Sequence, residues 1–89
     1  MSIFGSLHEA LNNRKYKEAI NMLNLELEKF PDMVWVKRTF IVEHLIILYC
    51  KTGQTDEAYK VYNDFSVTVD PDNIYLLQIK NRFYDLIFA

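Results

Sequence analysis

A catalytic or metal-binding reading of this 89-residue chain would draw first on its two histidines, one cysteine and twelve carboxylates. His44 and Cys50 lie six residues apart. At about 100° per residue on a helix they point about 120° away from each other, so a thiolate–imidazole pair does not form within one helix. Cys50 reads as a small buried hydrophobe and His44 as a solvated surface histidine. Two distant histidines and one thiol fall short of a metal's ligand set. The two glycines, Gly5 and Gly53, stand far apart, which leaves no glycine-rich phosphate loop. No enzymatic activity, cofactor or metal is expected. Arg14, Lys15 and Lys17 gather beside Glu18 as a solvated corner. Ten basic against twelve acidic residues give a net charge of −2, with no positive field for nucleic acid.

The elements that would position these residues are helices. Half the residues are apolar and 15% are aromatic, enough for a core, while two glycines and two prolines are too few for many tight turns. Phe4, Leu7, Ala10 and Leu11 recur at helical spacing, with Ser2 or Ser6 as candidate caps. After the polar run from Asn12 to Lys15, the spacing resumes with Tyr16, Ala19, Ile20, Leu23, Leu27 and Phe30 and stops at Pro31. The longest helix is expected from Met33 to Lys51. It is apolar almost all round except for a seam of Lys37, His44 and Lys51, and so should be central. Gly53 suits its left-handed end. Thr55 or Asp56 would cap a fourth helix with Ala58, Tyr59, Val61, Tyr62 and Phe65 buried, ending near Ser66. Val67, Thr68 and Val69 have no strand to pair with and read as a linker, and Asp70 to Asn73 form a turn into a last helix. Ile41 to Cys50 is interrupted by Glu43 and His44 and is too short for a membrane span. The lone cysteine and a first ten residues unlike a secretory signal point to the cytoplasm.

A repeat runs through this pattern. Tyr16 to Leu23 aligns with Thr55 to Tyr62 at an offset of 39 residues, with Glu18-Ala19 matching Glu57-Ala58, and each segment leads to a proline turn at Pro31 or Pro71. The chain thereby resembles the tetratricopeptide-repeat family, whose unit of about 34 residues pairs a helix A with a helix B carrying Glu-Ala and closes on proline. Leu45, Tyr49, Gly53, Glu57, Ala58 and Tyr62 match in the second unit; Tyr16, Glu18, Ala19, Leu23 and Pro31 match in the first, with Arg14 where the family favours glycine and Ser6 where it favours leucine. The resemblance implies an all-α fold of about five helices, antiparallel hairpins stacked as one domain over residues 1–89: a first repeat at 2–31, a second at 33–70 and a C-terminal helix at 72–88. Small Ala19 and Ala58 would let the paired helices approach closely.

The resemblance also implies a protein-binding module. Its A helices would line a groove with Phe4, His8, Leu11, Phe40, Glu43, Ile47 and Lys51, a mixed apolar set suited to an amphipathic helix rather than to a terminal carboxylate. Phe4, Phe40 and Ile47 equally fit a reading as core. On the last helix Leu76, Ile79, Phe83 and Leu86 suffice to pack on the preceding hairpin, leaving Leu77, Tyr84 and Phe88 as a second stripe for a second copy or an obligate partner. The expected function is an adaptor or chaperone shielding a partner's apolar helix. Small chaperones of this repeat class that serve type III secretion needle subunits offer a narrower form of it. The alternative is a structural subunit stable only as a homodimer or in a larger complex.

Overall fold

The computed structural model describes residues 3–88, with the side chains of residues 5–86. It contains five helices and, among the described residues, no strand: α1 Ile3–Asn12, α2 Tyr16–Lys29, α3 Trp35–Lys51, α4 Thr55–Ser66 and α5 Ile74–Phe88. The all-α expectation holds. The helices fall into two compact units, residues 1–33 and 34–89.

In the first unit α1 packs on α2. Leu7, Ala10, Ala19, Ile20 and Leu23 are buried there, the apolar spacing read from the sequence. Ser6 lies inside α1 rather than at its cap, and Ser2 lies outside the described residues. Phe30, expected on the buried stripe of α2, is half exposed because α2 has already ended at Lys29. Pro31 forces Phe30 out of helical geometry, to φ −128° and ψ 68°.

In the second unit α3 packs on both α4 and α5, and α4 on α5. Ile41, Val42, Leu45, Ile46, Leu48 and Tyr49 are buried on α3. Each such large apolar side chain contributes roughly 1.5–3 kcal/mol on leaving water. α3 begins at Trp35, two residues later than expected, because Met33 closes a turn on the Phe30 carbonyl and Val34 is extended. Trp35 meets Phe65 of α4 edge to face at 6.1 Å, with the Arg38 guanidinium 5.7 Å from the indole centre. Phe83 of α5 lies against Tyr59 and Tyr62 at 4.7 and 5.4 Å. Tyr59 nevertheless remains 45% exposed, so the expected buried stripe of α4 is carried by Ala58 and Phe65, with Val61 and Tyr62 half-buried.

Val67 and Thr68 continue the end of α4 as a hydrogen-bonded turn, the Thr68 hydroxyl donating to the Phe65 carbonyl at 2.8 Å. The Asn73 side chain then caps α5, its Oδ1 accepting the Tyr75 amide at 2.8 Å. Gln54, rather than Thr55 or Asp56, holds the N-cap position of α4, and Thr55 is already helical.

Candidate protein-docking surface

The buried residues of α3 occupy one half of its circumference, and the other half carries a line of exposed and half-buried side chains. Projected at about 100° per residue, Val36, Phe40 and Ile47 fall within about 40° of one another, with Glu43, His44 and Lys51 at their flanks. Val36 is 64% and Phe40 is 37% exposed, and Ile47 is half-buried. Phe40, Glu43, Ile47 and Lys51, singled out from the sequence, thus share one face.

His44 organises this face. Its Nδ1 donates to the Phe40 carbonyl at 2.9 Å, and its ring stacks on the Phe40 ring with centroids 4.0 Å apart and 28° between planes. His44 keeps the surface position expected for it, half-buried on the accessible side of α3, and adds a ring contact with the exposed Phe40. Such an anchor enters a complex with little side-chain entropy left to lose.

Glu43 has a different place from the one its groove position suggests. Its carboxylate accepts from Gln78 Nε2 at 3.1 Å and from Arg82 Nε at 3.2 Å, which ties α5 along one edge of the α3 face. Lys51 is exposed near the other end of α3. In the first unit His8 is exposed and Leu11 half-buried on α1; the Phe4 side chain lies outside the described residues.

On α5, Leu76, Ile79 and Phe83 are buried as expected, whereas Leu86 is 37% exposed. Leu77 and Tyr84 stand 46% and 52% exposed on the opposite side; the side chain of Phe88 lies outside the described residues. Val36 on α3 and Ile74 on α5, the latter 73% exposed, extend these two surfaces and were missed from the sequence. Their signal was present in the spacing: Val36 precedes Phe40 by four, and Ile74 precedes Leu77 by three.

Cys50 is half-buried, and burial pushes its thiol above the ordinary value, away from the thiolate an activated nucleophile needs. No group of three metal-ligating side chains gathers among the described residues. None of the described helices is long and apolar enough to cross a membrane. No protein-family model, curated protein or solved structure gives a significant match to the chain.

Proposed function

We propose that the chain is a non-catalytic protein-binding module of the tetratricopeptide-repeat kind, an adaptor or chaperone that shelters an amphipathic helix of another protein on the Val36–Phe40–Ile47 face of α3. The observation that carries this reading is the row of Val36, Phe40 and Ile47, apolar side chains on a face that the other helices of its unit leave accessible. From Val36 to Ile47 the row is about 17 Å long at ~1.5 Å per residue, room for about three turns of a partner helix. His44 and Lys51 beside it supply a polar rim, and α5 forms a border through Glu43. A chaperone for a self-assembling helical subunit, as in type III secretion, is the narrower form supported by the repeat resemblance.

A photo-crosslinking residue placed at Ile47 in the native host tests this reading. The expected product joins the chain to one protein, within a segment whose apolar residues recur at helical spacing. Crosslinks confined to the chain itself contradict it. The other reading, a subunit that functions only in an assembly of its own copies, draws support from Leu77 and Tyr84 on α5.

A further inference from the structure

The exposed side of α5 has the residue order of a coiled-coil seam, and we infer that it pairs, parallel and in register, with α5 of a second copy of this chain. This surface is separate from the α3 face, and the inference does not depend on that reading. Taking Ile74 as position a of a heptad places Leu77 at d, Asn81 at a and Tyr84 at d. These four residues project within about 80° of one another on the helix. All four are exposed, while Leu76, Ile79 and Phe83, at the outer positions of the same heptads, are buried in the unit's own core. α5 thus has two faces, and the one turned from its unit carries the 3-4-3 spacing of alternating a and d positions.

The residue types select the partner. A β-branched residue at a with leucine at d favours two parallel strands, and a single asparagine at a fixes register and strand number. Charge complementarity favours the same answer. Lys80 stands at position g and Asp85 at the following e, both exposed. In a parallel pair each Lys80 faces the other copy's Asp85, giving two attractive contacts across the two-fold axis. In an antiparallel pair lysine would face lysine and aspartate would face aspartate.

Sedimentation equilibrium of the full chain tests the pairing. Wild type should dimerise reversibly. Lys80→Glu and Asp85→Lys should each weaken the dimer roughly tenfold or more, since both contacts turn from attraction to repulsion. Mixing the two variants should restore association, and so should combining both substitutions in one chain. The combined restoration is specific to the parallel arrangement, because an antiparallel pair would again set like charges opposite each other. Circular dichroism should show both surface variants folded as wild type. A wild type that stays monomeric at the highest concentration loaded overturns the inference, and so does a dimer indifferent to the single reversals or not recovered by the double one.

Discussion

The turn joining α1 to α2 and the turn joining α3 to α4 make the same hydrogen bonds from different residues. Asn13, Arg14 and Lys15 donate their amides to the carbonyls of Glu9, Leu11 and Ala10; Thr52, Gly53 and Gln54 donate to those of Leu48, Cys50 and Tyr49. Every donor and acceptor is displaced by 39 residues, the offset of the sequence repeat. The side chains follow suit, with Asn13 Nδ2 on the Glu9 carbonyl at 3.0 Å and Thr52 Oγ1 on the Leu48 carbonyl at 3.0 Å. At the centre of each turn the backbone is left-handed, φ 57° at Arg14 and φ 76° at Gly53. The geometry therefore belongs to the closing of the hairpin, and glycine lowers its cost without being required for it.

The most severe way to break this equivalence is at the alanines that follow each turn. Ala19 and Ala58 are both fully buried, so arginine at either site must overfill a packed crossing and bury a charge. Ala58→Arg should cost on the order of 4 kcal/mol and abolish cooperative melting, and Ala19→Arg should act in the same direction. An unchanged melting curve for Ala58→Arg would remove this residue from the helix crossing.

The turns themselves should respond in opposite directions. Gly53→Ala meets no neighbouring atom within 4 Å, so its effect is conformational and should destabilise by about 1 kcal/mol. Arg14→Gly relieves the left-handed strain and should stabilise by roughly 0.5–1 kcal/mol, reduced by the added freedom of the unfolded chain. Chemical denaturation of the two variants reads both signs, and equal signs would contradict a shared turn.

A comparable gain is expected in the core of the second unit, where the Thr39 hydroxyl is buried without a hydrogen-bond partner among the described residues. Thr39→Val keeps the shape and removes the orphaned group, and should stabilise by roughly 1 kcal/mol in the same assay. A loss of stability would show that the hydroxyl is satisfied in solution.

Helix number, the left-handed end at Gly53, the stop before Pro31 and the burial of both alanines were legible because each depends on local residue type and spacing. The exposure of Phe30 and Tyr59 was not, since helical period marks a face as apolar without saying how far a neighbour covers it. The same limit applies to Glu43. Its bonds to Gln78 and Arg82 span 35 and 39 residues, and no periodicity records them. His44 was legible in position but not in role, because its stacking on Phe40 depends on side-chain orientation rather than on spacing.

The claim that the α3 face serves a partner rather than the core is tested most directly by measuring melting and partner retention together for Phe40→Asp and Val36→Asp. The chain and its variants would be purified from the native host under identical conditions. Val36 is largely exposed, so Val36→Asp should change stability by no more than about 1 kcal/mol, while Phe40→Asp, which also loses the His44 stack, should cost about 1–2 kcal/mol. The expected result is cooperative melting of both variants with loss of the stoichiometric partner recovered by wild type. Retention of that partner by both variants, or collapse of melting in step with binding, would contradict it.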